Sequence, residues 1–325
     1  MIRYVLRRFG FLLLTLLVTS LIIFAVTQLL PGDVCRIILG REAGEAALQG
    51  CRERLGLNEP APMQYLNWLA NFAQGNWGES FSTGAEIRPL VLERLRNSLR
   101  LALVTMVFAV PLAVLLGVVA GLNADKPLDN IISVASLSVV GLPEFVTGLV
   151  LIQIFAFTIN DFLEHNFGIR PFQANSSVEP DATFAAVLPF LVLPALTATL
   201  VLLAYIARLT RAGVVEELKR PYVRTATLKG LPRRVVIFKH VLRNALLPTI
   251  TVIAISFGWL ISGLIVIENV FNYPGLGRLL IFAIDRRDLP MLQALTMVTV
   301  LSFALANLAA DLLYAWLNPR IRLGA

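Results

Sequence analysis

Long, uninterrupted hydrophobic runs dominate this chain, and most polar residues gather in the segments between them. A bilayer core of about 30 Å takes roughly 20 helical residues to cross. Glu144 in the third run and Asp311 in the sixth are the only charged residues inside the runs. The runs lie at residues 9–30, 101–122, 131–159, 183–207, 245–267 and 289–317. The pattern predicts an all-α integral membrane protein, with one transmembrane domain over residues 1–325 and about six membrane-spanning helices.

Composition agrees with that pattern. Hydrophobic residues make up 57% of the chain and charged residues 15%, and the mean hydropathy is +0.75. Soluble domains are roughly 45–50% apolar and about 25% charged. The first run follows Arg3, Arg7 and Arg8, as a signal peptide would, but its apolar stretch is too long and no small-x-small cleavage site follows. We therefore expect the first run to be a retained helix.

The distribution of basic residues predicts the orientation. With the N-terminus in the cytoplasm, the inside segments 1–8, 123–130, 208–247 and 318–325 hold 16 Lys and Arg against four Asp and Glu. The remaining 12 basic residues lie outside with 15 acidic ones. Short loops rich in Lys and Arg stay inside. Both termini are therefore expected in the cytoplasm, and the 31–97 segment is expected as an extracytoplasmic insert.

Glycine and proline interrupt several runs. Gly117 and Gly121 form a small-xxx-small pair that lets two helices approach closely. Gly141 and Pro143 either serve packing or break a helix beside a substrate path.

The cytoplasmic segment 208–247 is longer than a connection requires. Pro221 can open a helix, and Gly230 followed by Pro232 can end one, which predicts a short helix between them. Farther on, Val235, Phe238, Leu242 and Ala245 follow helical spacing and predict an amphipathic helix that leads into the membrane. On periodicity alone, the segment could equally be a basic loop that binds anionic lipid headgroups.

The residues of this segment resemble those of a known family. Arg224-Thr-Ala-Thr-Leu-Lys-Gly230, followed by His240-Val-Leu-Arg-Asn-Ala-Leu-Leu-Pro248, is similar to the cytoplasmic loop of dipeptide/oligopeptide/nickel ABC importer permeases. The wider family carries Glu-Ala-Ala-x-x-x-Gly, which Ala226 and Gly230 match and Arg224 and Thr225 do not. Further similar segments lie, in the family's order, at residues 4–8, 30–33, 55–57, 64–65, 75–78, 271–277, 307–311 and 318–322.

The resemblance implies a type I ABC importer fold in the bacterial cytoplasmic (inner) membrane. It implies that this chain forms half of the path for di- or oligopeptides. Its expected partners are a second homologous permease, two ATP-binding subunits, an extracytoplasmic solute-binding protein and membrane lipid. The short helix would be the coupling helix that docks on an ATPase. The docking residues expected there are Tyr222, Arg224, Thr225, Ala226, Lys229 and Gly230.

The chain itself offers little for catalysis. It contains no Gly-x-x-x-x-Gly-Lys-Ser/Thr phosphate loop, no His-Glu-x-x-His and no Gly-x-Ser-x-Gly. Two His and two Cys leave few metal ligands. We expect no enzyme activity, no metal and no cofactor on this chain, with ATP and Mg²⁺ on partner subunits. The net charge of +7 is interpreted as a topology signal and not as a nucleic-acid surface.

Four polar residues within the runs are candidates for the translocation path. Glu144 either lines the path and meets a substrate amino group, or it lies near one face and is solvated, or it pairs across the subunit interface. Thr147, Gln153 and Asn307 either line the path or bond neighbouring helices.

Cys35 and Cys51 are the only cysteines, and both fall in the predicted insert. Thiols outside the cytoplasm tend to form disulfides, so we expect the two to pair. The alternative is two separate buried thiols.

Two other function classes compete. A secondary transporter usually shows internal repeats and several intramembrane ionisable residues, and neither is evident here. A membrane-embedded enzyme would need a catalytic motif, and none is present. The sequence does not identify the substrate, which could be a dipeptide, a longer peptide, glutathione or a nickel chelate.

Overall fold

The structure is a computed structural model, and it describes residues 2–29, 34–40, 42–54, 56–179 and 182–317. These residues form fifteen α-helices and two π-helical segments, in this order: α1 (Ile2–Leu29), α2 (Val34–Leu39), α3 (Glu45–Arg54), α4 (Ala61–Gln74), α5 (Ile87–Leu122), α6 (Pro127–Val140), α7 (Glu144–Leu151), π1 (Ile152–Ile159), α8 (Asn160–Phe167), α9 (Phe184–Leu218), α10 (Pro221–Leu228), α11 (Arg233–Val235), π2 (Val236–Val241), α12 (Leu242–Gly263), α13 (Ile265–Val270), α14 (Leu276–Asp285) and α15 (Leu289–Leu317).

Six helical stretches in the described part of the chain are long and apolar enough to cross a membrane, as predicted. The bounds of α15 agree with the sixth predicted run. Elsewhere the helices extend past the apolar runs: α5 begins at Ile87, inside the expected insert, and α9 continues to Leu218. A helix does not have to end where its apolar residues end, because polar side chains on its last turns reach water. The segments 30–33 and 318–322, which carry part of the family resemblance, lie outside the described residues, as does Leu55.

The third predicted run is not one helix. It is divided at residues 141–143 into α6 and the continuous stretch α7–π1–α8. Pro143 causes the division, because its ring disfavours helical conformation in the preceding residue, Leu142. The predicted single helix over 131–159 is therefore wrong, whereas a break at Gly141 and Pro143 is present. Glu144 consequently lies in the first turn of a helix and not in the middle of one.

Contacts divide the chain into two compact units, residues 1–97 with 275–305 and residues 98–274 with 306–325. In the second unit, α9 packs tightly against both α5 and α12. A β-carbon on Gly117 would lie 2.5 Å from the carbonyl oxygen of Ala207, and one on Gly121 would lie 2.7 Å from Cβ of Val214. The predicted small-xxx-small pair is thus a helix contact. Gly213 faces α12 in the same way, with the carbonyl oxygen of Ala245 at 2.5 Å.

The first unit has its own core, formed by α5, α14 and α15. Its buried members are Ile87, Val91, Leu276, Leu279, Ala283, Met291, Ala294, Leu295 and Val298. Asp288 is buried beside this core. Its carboxylate accepts hydrogen bonds from the hydroxyls of Ser80 at 2.6 Å and Ser82 at 2.9 Å, and from the backbone N–H of Met291 at 3.3 Å. The carboxylate therefore attaches the loop before α5 to the start of α15.

The two cysteines pair in the same unit. The sulfur atoms of Cys35 and Cys51 are 2.15 Å apart, and the bond joins α2 to α3 around the buried side chain of Leu48. The predicted pairing is present in the structure. The bond restrains a segment that has little apolar core of its own.

Gly213 provides a test of the helix packing. Gly213→Ala forces a β-carbon against the backbone of α12, so we expect a loss of about 1–3 kcal/mol in stability, as overpacked sites show. The measurement is the thermal midpoint of the purified protein in detergent. Gly10→Ala is the matched control, because a β-carbon there has no atom within 4 Å. Equal midpoints for the two variants would contradict the close packing of α9 and α12.

The disulfide predicts a labelling pattern. In protein extracted with its thiols trapped at lysis and then denatured, a maleimide should label Cys35 and Cys51 only after reduction. Complete labelling without reductant would show that the bond is absent. Labelling of Cys35 and Cys51 from the cytoplasmic side of intact vesicles would show that the insert lies in the cytoplasm and not outside it.

Candidate functional site

The short helix α10 has defined ends. Pro221 stands in its first turn, where a missing N–H costs nothing. At the other end, the N–H of Gly230 donates to the carbonyl of Thr227 at 3.0 Å, and the N–H of Leu231 donates to that of Ala226 at 3.4 Å. Gly230 has a φ of +77°. This is the Schellman arrangement, which favours glycine because a β-carbon is strained at positive φ. The helix start and stop expected from the sequence are both present.

One face of α10 packs on the chain's own core. Val223 and Ala226 are each 8% exposed and belong to a cluster with Val214 of α9, Val236 and Val241 of π2, and Ala245 of α12. An isolated helix of eight residues is unstable in water, so this packing is what stabilises it.

The opposite face is open. Pro221, Arg224, Thr225, Leu228 and Lys229 are exposed, at the spacing of one helix face. Leu228 is 78% exposed, although it is a large apolar side chain in an otherwise polar segment. The sequence analysis did not select Leu228. Leu228 comes four residues after Arg224, so the two lie on the same helix face, and this spacing was the signal that could have identified it.

Two of the expected docking residues point the other way. Ala226 is part of the buried cluster. The hydroxyl of Tyr222 donates to Glu217 of α9 at 2.5 Å and accepts from the side-chain amide of Asn244 of α12 at 3.2 Å. Burial and the neighbouring Glu217 carboxylate raise the pKa of Tyr222. Tyr222 and Ala226 therefore attach α10 to this chain, whereas Arg224, Thr225, Lys229 and Gly230 are exposed.

The apolar stripe expected after Pro232 is only partly correct. Phe238 is 71% exposed and Val235 is 37% exposed, while the buried residues are Val236, Val241 and Ala245. The cause is the π-helical segment π2, whose wider turn puts residues five apart on one face. A stripe drawn at α-helical spacing therefore selects the wrong side of this segment.

An ion pair between a buried carboxylate and a partly exposed guanidinium adjoins the same region and was not expected from the sequence. Asp129 of α6 is 1% exposed. Its two carboxylate oxygens accept from Nε and Nη2 of Arg211 in α9, at 2.5 and 2.6 Å. The backbone N–H of Asp125 donates to the same carboxylate at 2.9 Å. Hydrogen bonding to Arg211 lowers the pKa of Asp129 to about 2. The charge count had treated Arg211 only as a topology signal.

The four path candidates differ in how far they are exposed. Glu144 is half-buried, Thr147 is 7% exposed, Gln153 is exposed and Asn307 is half-buried. Within the described residues, none of the four side chains hydrogen-bonds another of the four. Gln153 comes nine residues after Glu144, and at about 100° per residue this spacing places it on the opposite face of the helix.

Comparisons with known proteins identify the family. The model of the binding-protein-dependent transport system inner membrane component matches residues 113–323, and the model of the N-terminal part of such membrane components matches residues 1–102. The chain belongs to this permease family. It is a multi-pass protein of the bacterial inner membrane.

Relatives match the permease along almost its whole length. It is 35% identical over 324 residues to a probable peptide ABC transporter permease protein of Sinorhizobium fredii, which covers 98% of this chain and 99% of that relative. It is 36% identical over 322 residues to the glutathione transport system permease protein of Escherichia coli strain K12, and 37% identical to that of Pectobacterium atrosepticum. Each of these two alignments covers 99% of both chains.

The pair of Asp129 and Arg211 predicts a pH dependence. Because the folded-state pKa of Asp129 lies below the ordinary carboxyl value of about 3.9, the pair contributes its full stability above about pH 4. That contribution is lost as the pH falls towards 2. Asp129→Asn should lower the thermal midpoint of the permease at pH 7 by the equivalent of about 1.5–3 kcal/mol, because hydrogen bonds between charged groups are lost.

Asp125→Asn is the control, because Asp125 is 97% exposed and its carboxylate lies 4.0 Å from Arg211. Asp125→Asn should leave the midpoint almost unchanged. Equal thermal midpoints for Asp129→Asn and Asp125→Asn would show that the pair of Asp129 and Arg211 contributes no stability of its own.

Proposed function

We propose that the permease forms half of the translocation path of an ATP-driven importer for short peptides. The relatives support the substrate class, since they are described as peptide and glutathione transport permeases. A second homologous permease would complete the path, two ATP-binding subunits would supply ATP and Mg²⁺, and a solute-binding protein would deliver the substrate. Membrane lipid surrounds the apolar helices.

The observation that carries the proposal is the two-sided packing of α10. Its inner face is held by Val223 and Ala226, and its outer face presents Arg224 and Leu228 without a covering element among the described residues. Arginine is enriched at protein interfaces, so Arg224 beside the uncovered side chain of Leu228 suits contact with another subunit. The chain has no phosphate loop of its own. We therefore assign the outer face of α10 to contact with an ATPase subunit.

The same proposal gives the orientation. Both termini and α10 would lie in the cytoplasm, and the insert would lie outside. The disulfide of Cys35 and Cys51 supports this assignment, because disulfides persist in oxidising compartments and the cytoplasm is reducing.

Glu144, Thr147, Gln153 and Asn307 are proposed to line parts of the path. Glu144 is the best supported, since it follows the helix break in a half-buried position. Ionisable side chains within membrane-spanning segments face the bundle interior or a water-filled cavity, or they pair with another group. The side chain is therefore expected to face a polar space.

Leu228 tests the docking assignment. Leu228→Asp should leave insertion and folding of the permease unchanged, because the side chain is already exposed. It should reduce co-purification of the ATPase subunit and substrate-stimulated ATP hydrolysis by at least tenfold, since a charge would replace an apolar contact. Leu66→Asp is the control, because it changes an exposed leucine of α4 in the insert. The ATPase subunit should co-purify normally with this variant. Unaltered assembly and transport with Leu228→Asp would exclude this face as the docking surface.

Glu144 tests the path assignment. Glu144→Gln should insert normally and should reduce uptake of cationic peptides relative to neutral ones, because a counter-charge is removed. Uptake of both peptide classes in reconstituted vesicles is the measurement. Glu164→Gln is the control, since Glu164 is paired with Arg170 at the far end of the same helical stretch. A ratio that stays constant for Glu144→Gln would remove Glu144 from the path.

A further inference from the structure

A second candidate site lies in the first unit, formed by residues other than those of α10. A cavity of about 730 Å³ opens between the end of α1, the helix α4, the loop that follows α4 and the start of α15. Small-molecule sites in proteins have volumes of roughly 300–1,000 Å³. The cavity is therefore large enough for a ligand such as a short peptide.

Aromatic rings form one wall. Phe24, Trp68, Phe72 and Trp77 line the cavity, and successive rings contact each other at centroid distances of 6.1, 6.2 and 5.3 Å. Trp77 is fixed by a hydrogen bond from its indole N–H to the carbonyl of Phe72 at 3.1 Å. The wall thus offers a connected aromatic surface in fixed positions.

The amide groups of the cavity present acceptors. The NH₂ groups of Gln28, Asn67 and Gln293 donate within the protein, to Gln64 Oε1 at 2.8 Å, Glu59 Oε2 at 2.9 Å and Thr27 Oγ1 at 2.8 Å. Within the described part of the chain, the three amide oxygens accept no hydrogen bond. One N–H of each amide is engaged within the protein, and each amide oxygen remains available to a ligand as an acceptor.

Charge in the cavity has one sign. Glu59 and Glu79 line it, and no Lys or Arg does so among the described residues. Arg88 lines a neighbouring cavity, which shares Trp77 and Glu79 with this one. Aromatic faces, free acceptor oxygens and carboxylates all favour a ligand that is positively charged and rich in N–H donors.

We propose that this cavity binds the ammonium end of a short peptide-sized ligand. Its volume favours a small molecule over a single Lys or Arg side chain of a docked protein, which would fill only a small part of the space. The peptide identity rests on the proposed function, whereas the preference for an ammonium group rests on the cavity alone.

Tryptophan fluorescence tests the proposal directly. The full-length permease, with Trp259→Phe and Trp316→Phe, retains only the cavity residues Trp68 and Trp77 as tryptophans. In lipid nanodiscs it is titrated with trialanine amide, which has a free ammonium group, and with N-acetyltrialanine amide, which has none. The free amine should give a saturable change at a concentration at least tenfold lower than the acetylated peptide. N-acetylarginine amide is the third probe and represents a protein side chain.

Two variants complete the experiment. Glu59→Gln combined with Glu79→Gln should weaken binding of trialanine amide by at least fivefold. Glu86→Gln should leave it unchanged, because Glu86 lines only the neighbouring cavity. Equal responses to the free and acetylated peptides would overturn the proposal, and so would binding of N-acetylarginine amide alone. Peptide transport is not part of this readout, so an intact transporter whose permease fails the titration would refute only this site.

Discussion

An isolated helix of eight residues is unstable in water. The short helix α10 is stable because neighbouring helices pack closely beneath it. Gly213 is the residue that allows this approach, since its missing side chain lets α9 lie against the backbone of α12 at Ala245. The cluster beneath α10 is drawn from both of those helices and from π2. Burial of a valine such as Val223 contributes about 1.5–3 kcal/mol when it is complete. That is large beside the marginal stability of so short a helix.

The contacts that support α10 also determine which elements a displacement of α10 would move. Tyr222 hydrogen-bonds both α9 and α12, so the short helix is attached to two long helices and not to one. From α9, the pair of Arg211 and Asp129 continues to α6. The next element after α6 is the break at Gly141 and Pro143, followed by Glu144. These contacts and the chain itself therefore connect α10, with its proposed docking face, to the start of the helix that bears Glu144. A rigid-body switch between two states requires such a connected set of packed elements.

The membrane-spanning helices could be predicted well because each span needs a long apolar run, and such runs are recognisable directly in the sequence. It also predicted both ends of α10, since Pro221 and Gly230 have backbone requirements of their own. Prediction from the sequence failed where the position of a side chain depends on residues of neighbouring elements. The π-helical segment that contains Phe238 shifts the register without any distinctive residue type. The partner of Arg211 lies 82 positions away along the chain, and no local spacing relates the two. Leu228 was overlooked because an apolar residue in a short helix is expected to point inwards.

The central claim is that the outer face of α10 meets an ATPase subunit while its inner face remains on this chain. Photo-crosslinking in the assembled transporter measures this most directly, with a photoreactive amino acid placed at position 228 and, for comparison, at position 66 in the insert. The account predicts an ATPase adduct from position 228 and none from position 66. An ATPase adduct from position 66, or the absence of one from position 228 in a complex that still hydrolyses ATP, would contradict it.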